Sequence, residues 1–255
     1  VSISNKRLNM EEKEVVVEAF TELAPRYEKV VDNELNKFWG WSYDGFIRFL
    51  IDNTIIHSGE LLLDIATGTA VIPRAVIKTN PNCKIVGVDI TQAMLEQGKK
   101  RIEEGLFGKK IFLTTGNAMF MPFASNSYDL ILCGLATHHM QVEQLTAEIY
   151  RILKENGRFS LADVGGATWW RNPVINFFIK ILAYVYFLIT ENKDRAKAES
   201  SAVSNVFTAE NWKRILQNAG FEEVKITHLK STKFWVPDPL LIQAYKSQPK
   251  QREGE

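Results

Sequence analysis

The sequence predicts an α/β fold built on a mostly parallel sheet of seven strands, with an antiparallel last strand. From residue 61 onward, short apolar runs alternate with amphipathic helical stretches, which is typical of consecutive βαβ units. The first run leads from Asp64 straight into a loop of small residues, 66–70, and the second run ends on Asp89. A strand, a small-residue loop and a helix in this order form the first unit of a nucleotide-binding sheet.

Residues 1–56 are predicted to form an N-terminal helical cap. Apolar residues recur there at helical spacing on both sides of Pro25, which interrupts the helical pattern. These residues are Val15, Ala19, Leu23, Phe38, Phe46, Phe49 and Leu50.

The strands are predicted from seven apolar runs that follow this cap. They are Leu61–Ile65, Lys84–Asp89, Ile111–Thr115, 129–133, 158–164, 223–227 and Leu240–Tyr245. Helices are expected between them near 73–78, 91–103 and 141–154, with Thr91 as an N-cap. A turn at Asn156 is expected to lead from the third of these helices into the fifth strand.

The alternation stops after the fifth strand, where residues 165–206 are predicted to form a helical lid insert. Within it, 174–190 is apolar except for Asn176, Lys180 and Tyr184, which recur every fourth position and therefore share one side of a helix. We expect that side to be the wetter one. The apolar faces are expected to carry Phe177, Phe178, Ile181 and Val185.

The apolar segment 174–190 favours a lid over an acceptor pocket. Its composition also leaves open a peripheral contact with a membrane or a homodimer contact with a second copy of the chain. A buried helix that simply covers the sheet is the remaining alternative. A membrane-spanning helix is disfavoured, since Lys180 would lie near the centre of the bilayer.

The composition, 45% hydrophobic and 24% charged, is ordinary for a globular protein. A formal net charge of +1 gives no electrostatic reason to expect a nucleic acid partner. Cys83 and Cys133 lie far apart in apolar runs, which indicates buried thiols in a reducing compartment. We therefore expect a cytoplasmic protein, with membrane association left open by the apolar segment.

The loop after the first strand favours S-adenosylmethionine over a dinucleotide. A dinucleotide site needs several glycines so that the backbone can approach the pyrophosphate. Here Gly68 is flanked by Ala66 and Ala70. The negative charge of Asp64 would repel a diphosphate and suits a ligand that carries a sulfonium and an ammonium. A nicotinamide-dependent oxidoreductase is therefore the less favoured alternative.

Seven short motifs carry a resemblance to a known family. They are APRYE at 24–28, LDIATGT at 63–69, VDITQAML at 88–95, GNAMFMPF at 116–123, YDL at 128–130, YRILK at 150–154 and FT at 207–208. In this order and spacing they resemble the class I S-adenosylmethionine-dependent methyltransferases of the ubiquinone/menaquinone-biosynthesis C-methyltransferase type. The resemblance implies one Rossmann-like domain over 1–255. The chain departs from the family pattern at Ala70, where a glycine is usual.

By this resemblance, S-adenosylmethionine would lie at the carboxyl ends of the first four strands. The loop residues would contact its methionine part, Asp89 would accept hydrogen bonds from the ribose hydroxyls, and later residues would meet the adenine. The implied cofactor-binding residues are Asp64, Ala66, Thr67, Gly68, Thr69, Asp89, Ile90, Met94, Asn117, Ala118, Gly134 and Leu135.

Two adjacent histidines after the fourth strand are candidates for acid–base catalysis. His138 or His139 is placed to accept a proton from a phenol or enol, and the alternative is that they cap the next helix or fill a polar gap. Tyr27 is a candidate for ordering the cofactor or substrate, or a packing residue. No metal is expected, because adjacent histidines do not easily ligate one ion and no third ligand is near in the sequence.

The sequence thus predicts an enzyme that transfers a methyl group from S-adenosylmethionine to a small lipophilic or aromatic acceptor. Such an enzyme mainly needs to align donor and acceptor. Carbon and oxygen acceptors both remain open, and a base is needed only where the acceptor loses a proton. The alternative is a non-methylating enzyme, such as a cyclase, that uses the same fold with the cofactor bound.

Overall fold

A computed structural model describes residues 3–105, 107–234 and 236–247. Its centre is one seven-stranded sheet with the order β3-β2-β1-β4-β5-β7-β6. Strand β7 pairs antiparallel with β5 and β6, whereas the other pairs are parallel. The predicted sheet, including its antiparallel last strand, is confirmed. The strands are β1 (Leu61–Ile65), β2 (Lys84–Asp89), β3 (Ile111–Thr115), β4 (Tyr128–Gly134), β5 (Leu153–Asp163), β6 (Glu223–His228) and β7 (Leu240–Tyr245).

The N-terminal cap consists of three helices, and six more follow β1 in the described chain. The cap helices are α1 (Ile3–Leu23), α2 (Tyr27–Trp39) and α3 (Tyr43–Asp52). The later helices are α4 (Val71–Thr79), α5 (Gln92–Glu104), α6 (Val142–Ile152), α7 (Pro173–Thr190), α8 (Lys193–Ala202) and α9 (Ala209–Asn218). Thr91 occupies the N-cap position of α5, although its hydroxyl accepts no capping hydrogen bond.

The fifth strand begins earlier than predicted. Helix α6 ends at Ile152, and Leu153 already pairs with Tyr128 of β4. The register then shifts, and Asn156 takes a left-handed conformation with φ of 60°. The expected turn at Asn156 is therefore an irregularity inside the strand, which short-range sequence pattern could not distinguish from a helix end.

Hydrophobic side chains of the sheet pack on both of its faces. In β1, Leu62 joins the core under the cap helices and α4, whereas Leu63 joins the core under α6 and α9. This alternation follows from the period of two in a strand. Cys83 and Cys133 are buried free thiols, one in each core.

The insert after β5 contains α7 and α8, and α7 packs along α8. Within the described structure, no residue of α7 is buried. The exposed residues are all apolar between its ends: Val174, Phe177, Phe178, Ile181, Leu182, Val185, Leu188 and Ile189. In contrast, Asn176, Lys180 and Tyr184 are half-buried against the protein.

The predicted orientation of this helix is therefore wrong. The polar residues face inward and the apolar faces, with Phe177, Phe178, Ile181 and Val185, face outward. The reason is the sequence of α8, KDRAKAESSA, which has no large apolar side chain to cover them. By length and composition alone, α7 is able to cross a membrane, with a mean hydropathy of 1.8 over 18 residues.

Candidate active site

The loop between β1 and α4 is anchored to the end of β2 by Asp89. Its two carboxylate oxygens accept hydrogen bonds from the backbone N–H of Gly68 and of Thr91, each at 2.8 Å. Gly68 has a φ of 54°, and a Cβ there would lie 3.1 Å from the Met94 Cε. Asp89 thus orders the loop and the start of α5.

Backbone strain collects around this loop. Ala66, Ala70 and Leu135 have φ values of 52°, 60° and 53°, in the left-handed region that costs side chains with a Cβ about 1–2 kcal/mol. Ala70 is also fully buried at the N-cap of α4. Alanine at position 70 therefore adopts a left-handed conformation that glycine takes more readily.

A cavity of about 570 Å³ opens beside the loop, at the carboxyl ends of the strands. One side, the cofactor wall, comes from the sheet and includes Ala66, Asp89, Ile90, Asn117 and Ala118. The opposite side, the insert wall, comes from α7, α8 and the turn after them. Its residues are Lys180, Lys197, Ala198, Ser201, Ala202, Ser204 and Asn205.

A smaller cavity of about 70 Å³ continues from the first under α1 and α2. The two share Ala66, Asp89, Ile90, His139 and Met140. The smaller one is also lined by Tyr27, Gly68, Met94, Gly134 and Leu135. Together the cavities bring nine of the twelve predicted cofactor residues to one surface.

The other three predicted residues, Asp64, Thr67 and Thr69, are not on the cavity surface. Thr69 is turned away because its hydroxyl donates to the Glu28 carboxylate at 2.7 Å. Thr67 is buried against Gly87, where an added Cβ would lie 2.6 Å from the Thr67 hydroxyl. Both threonines therefore support the loop from behind.

Asp64 is fully buried, and among the described residues neither of its carboxylate oxygens has a hydrogen-bond partner. Burial raises the pKa of Asp64 to about 8 against the lowering effect of the nearby Thr67 hydroxyl, and Asp89 adds a smaller rise. A buried carboxylate without a partner is costly, and a cation beside the loop would lower that cost.

His138 and Asp163 form a buried pair in the cavity wall. The His138 Nδ1 lies 2.9 Å from the Asp163 Oδ1, and the side chains are 14% and 2% exposed. Asp163 is held in turn by the backbone N–H of Thr137 and of Val164. Burial lowers the pKa of His138, but the Asp163 carboxylate outweighs it, and the pKa is raised. The Nε2 is left for the cavity that His138 lines.

His139 has different surroundings. Its ring packs edge-on against that of Phe20, with the ring centroids 5.3 Å apart, and its Nε2 lies 3.4 Å from the Glu199 carboxylate. Burial and the neighbouring His138 lower the pKa of His139. The two adjacent histidines, which the sequence left equivalent, are therefore distinct: only His138 is aligned through Nδ1 by a carboxylate.

Glu199 belongs to a buried charge cluster between the cap and the insert. The Arg195 guanidinium lies 3.1 Å from Glu199 and 3.2 Å from Glu34. Burial raises the pKa of Glu34 to about 7, whereas the pKa of Glu199 is held well below its usual range by Arg195 and His139 against the effect of burial. The cluster ties α8 to α2 beside the histidines.

Tyr27 is buried in the smaller cavity and packs edge-on against Tyr43 with ring centroids 6.1 Å apart. Burial raises the pKa of its hydroxyl, so Tyr27 stays protonated at neutral pH. It is therefore able to pack or donate a hydrogen bond, and it is not a base.

A third potential metal ligand, Glu199, lies beside the two histidines, although it is far from them in the sequence. Nitrogen atoms of His138 and His139 and a carboxylate oxygen of Glu199 lie within 4.8 Å of one another, so a third potential ligand is present. However, Glu199 already pairs with Arg195 and His138 already bonds to Asp163. These partners compete with an ion for the same atoms.

Comparison with known proteins identifies the family. The model of the ubiE/COQ5 methyltransferase family matches residues 7–233. The chain belongs to this family. It is 28% identical over 235 residues to a demethylmenaquinone methyltransferase of Lactobacillus johnsonii, covering 90% of this chain and 92% of that one. It is 24% identical to a ubiquinone/menaquinone biosynthesis C-methyltransferase of Dinoroseobacter shibae, covering 82% and 84%.

Among solved structures, the fold is similar to that of the YcgJ protein from Bacillus subtilis. The TM-score is 0.62 with 19% identity, covering 80% of this chain and 99% of that one. The fold is thus a methyltransferase-like Rossmann fold, and the chain is an S-adenosylmethionine-dependent methyltransferase. The cyclase and oxidoreductase alternatives are not favoured by these matches.

The residues of the ubiE/COQ5 site fit S-adenosylmethionine. The buried Asp64 carboxyl group suits a ligand with cationic groups, and Asp89 ends β2, where an acid in a sheet of this kind is placed to accept from ribose hydroxyls. Gly68 leaves open a space that a Cβ would fill against Met94.

Sequence reasoning missed Asp163, Lys180 and Glu199, which meet the histidines or the cavity only through the fold. A signal existed for one of them. Asp163 lies at the carboxyl end of the predicted fifth strand, as Asp64 and Asp89 lie at the ends of the first two. Lys180 and Glu199 lie on insert helices whose placement the sequence did not define.

Proposed function

We propose that this methyltransferase methylates a ring carbon of a lipophilic hydroquinone, with His138 as the general base. The proposal depends on the His138–Asp163 pair, in which Nδ1 and Oδ1 lie 2.9 Å apart. His138 lines the same cavity as the residues of the cofactor wall. The names of the relatives, which refer to demethylmenaquinone and to ubiquinone/menaquinone biosynthesis, support a quinone-type acceptor.

Bound S-adenosylmethionine supplies a methyl group already activated for displacement. The ring carbon of a phenol is a weak nucleophile, and ionisation of the adjacent hydroxyl makes it a strong one. His138 Nε2 accepts that proton while Asp163 stabilises the imidazolium. The ring carbon gains the methyl group as the bond from that methyl to the sulfonium sulfur breaks and leaves a neutral thioether. The ring carbon then loses its own hydrogen as a proton, and the oxygen regains a proton from the His138 imidazolium, so the net balance is one proton released per methyl group. Ala66, Gly68, Asp89 and Asn117 hold the donor for this reaction.

The direct test uses labelled S-adenosylmethionine with a short-chain hydroquinol. We expect label on a ring carbon of the product, identified by its methyl resonance. Transfer to oxygen or nitrogen acceptors, with none to the hydroquinol ring, would overturn the acceptor class. Asp163→Asn and His138→Gln should each retain S-adenosylhomocysteine binding, measured by calorimetry, while losing turnover.

We also propose that α7 lies in the surface of a lipid bilayer from which the acceptor is drawn. Its outward faces between the helix ends carry only apolar side chains, and Trp169, 53% exposed, lies just before it. A protein interface normally includes about one hydrogen bond per 100–200 Å². These faces offer no side-chain donor or acceptor, which favours lipid over a second copy of the chain.

Phe178→Ser tests this contact, with Phe112→Ser as its control. The two phenylalanines are 58% and 50% exposed, but Phe112 is on β3 at the far edge of the sheet. Binding to vesicles of phosphatidylcholine and phosphatidylglycerol should weaken about 10–150-fold for Phe178→Ser alone, as expected from about 1.5–3 kcal/mol for a buried phenylalanine. A wild-type dimer that Phe178→Ser dissociates, with no vesicle binding, would instead assign the face to self-association.

A further inference from the structure

Lys180 is the only charged residue of α7, and it lies on the side of the helix that faces the protein. It lines the large cavity from the insert wall, opposite the cofactor wall. All its outward neighbours on the helix are apolar, so the position of the charge is not explained by solvation of the helix surface.

The described residues provide Lys180 with no counter-ion and no hydrogen-bond acceptor. Two further lysines, Lys13 of α1 and Lys197 of α8, line the same cavity, and Lys197 lies 3.8 Å from Asp194. The one carboxylate in the lining is Asp89, whose oxygens already accept from backbone N–H groups.

The remaining titratable groups on the cavity surface are His138 and His139. Their carboxylate partners, Asp163 and Glu199, pair with them and with Arg195 rather than with Lys180. The insert end of the cavity is therefore a place where positive charge exceeds negative charge. Such an environment stabilises an anion.

We infer that Lys180 binds the phenolate oxygen of the acceptor and thereby favours its ionised form. The inference rests on the proposed function and identifies the group that takes the charge of the ionised acceptor. The proton of the acceptor hydroxyl goes to His138, and the Lys180 ammonium keeps its own protons and forms a charge-assisted hydrogen bond to the oxyanion. The lysine thus contacts the acceptor and leaves the donor to the cofactor wall.

The experiment measures the ionisation of para-nitrophenol bound to the full-length protein in the presence of S-adenosylhomocysteine. The phenolate absorbs in the visible, so its pKa on the protein is read directly by titration, without turnover. We compare wild type with three variants. Lys180→Met removes the charge and keeps a side chain of similar length, Lys180→Arg keeps the charge, and Lys193→Met removes a charge elsewhere. Lys193 is exposed at the start of α8 and is not on the cavity surface.

We expect wild type to lower the pKa of the bound phenol by at least one unit, which corresponds to a tenfold preference for the anion. Lys180→Met should lose this shift, Lys180→Arg should keep part of it, and Lys193→Met should match wild type. An equal shift in Lys180→Met, or no phenolate binding by wild type, would overturn the inference. Tighter binding of benzoate than of nitrophenolate, lost in Lys180→Met, would reassign the lysine to a carboxylate-bearing acceptor.

Kinetics separate this inference from the proposed function. With a hydroquinol acceptor, Lys180→Met should shift the acidic limb of the kcat profile, which reports groups in the complex, to higher pH and leave S-adenosylhomocysteine affinity unchanged. Phenolate binding that depends on Lys180 without any methyl transfer to hydroquinols would retain the anion site and reject the acceptor class. Methyl transfer whose pH profile is the same in Lys180→Met would reject only the role of the lysine.

Discussion

The two walls of the large cavity are built by opposite means. The cofactor wall consists of strand ends and loops, hydrogen-bonded at Asp89 and strained at Ala66, and the residues next to it, Ala70 and Leu135, are strained as well. The insert wall is a helix pair whose outer helix has no buried residue in the described structure. The cofactor wall suits a ligand of one shape. The insert wall has apolar side chains on its outer surface and lysines on the surface that lines the cavity. The difference indicates a rigid site for the donor and an accessible one for the acceptor.

The largest effect is expected where the two walls meet, at the histidines. His138→Gln should lower kcat by about 10²–10⁴-fold, the usual contribution of general base catalysis, with unchanged S-adenosylhomocysteine affinity. His139→Gln is the matched control, since its ring lies 4.4 Å from that of His138 but its carboxylate partner, Glu199, meets Nε2 and not Nδ1. Equal losses of kcat in both variants would mean that the pair has a structural role.

A smaller effect is expected on the cofactor wall itself. Asp89→Ala should weaken S-adenosylhomocysteine binding about 10–100-fold, because hydrogen bonds to a charged group contribute about 1.5–3 kcal/mol. Asp89 also orders Gly68 and Thr91, so Asp89→Asn serves as the variant that keeps one acceptor oxygen. Calorimetry that gives wild-type affinity for Asp89→Ala would remove the ribose assignment.

Asp64 makes the stability of the free protein depend on pH. Its pKa is about 8 in the folded protein against an ordinary value of 3.8, so ionisation costs stability as the pH rises through this interval. The contribution is fully present below pH 3.8 and is lost toward pH 8, with a slope of up to about 1.4 kcal/mol per pH unit. In Asp64→Asn the urea concentration at the unfolding midpoint should change less between about pH 5 and about pH 8 than in wild type. Asp52→Asn should show the same change as wild type. S-adenosylhomocysteine should restore stability at the upper end.

The smallest effect is expected from the strained loop. Ala70→Gly should stabilise the protein by up to about 1 kcal/mol, because glycine relieves the left-handed strain but gains entropy in the unfolded chain. Ala75→Gly inside α4 is the matched control and should destabilise by about 1 kcal/mol. Thermal unfolding distinguishes the two, and a loss of stability in Ala70→Gly would show that its buried methyl group matters more than its backbone.

The same contrast between the walls explains what the sequence predicted. Parallel strands must end at one edge of the sheet, so the local pattern around Asp64, Asp89 and Asn117 was sufficient to place most of the cofactor wall. The periodicity of α7 correctly predicted one helix and one polar side. It did not predict which side faces inward, because that depends on α8 having no large apolar residue, a tertiary fact.

His138 shows the same limit at the scale of one residue. The two adjacent histidines are equivalent in the sequence, and the contact of His138 with Asp163, 25 positions away, distinguishes it from His139. The acid at the end of β5 obeys the same rule as those at the ends of β1 and β2, but a carboxylate that aligns a histidine has no local signature.

In the proposed reaction Asp163 aligns His138 as the base for methyl transfer, and the pH dependence of kcat/KM for a hydroquinol reports that alignment. Because Asp163 raises the pKa of His138, wild-type activity should rise with pH through a value above the ordinary histidine value of about 6.5. In Asp163→Asn the activity should fall, and the activity that remains should rise at a lower pH than in wild type, because loss of the carboxylate charge lowers the pKa of His138. A limb at the same pH in both proteins, with similar maximal rates, would contradict the account.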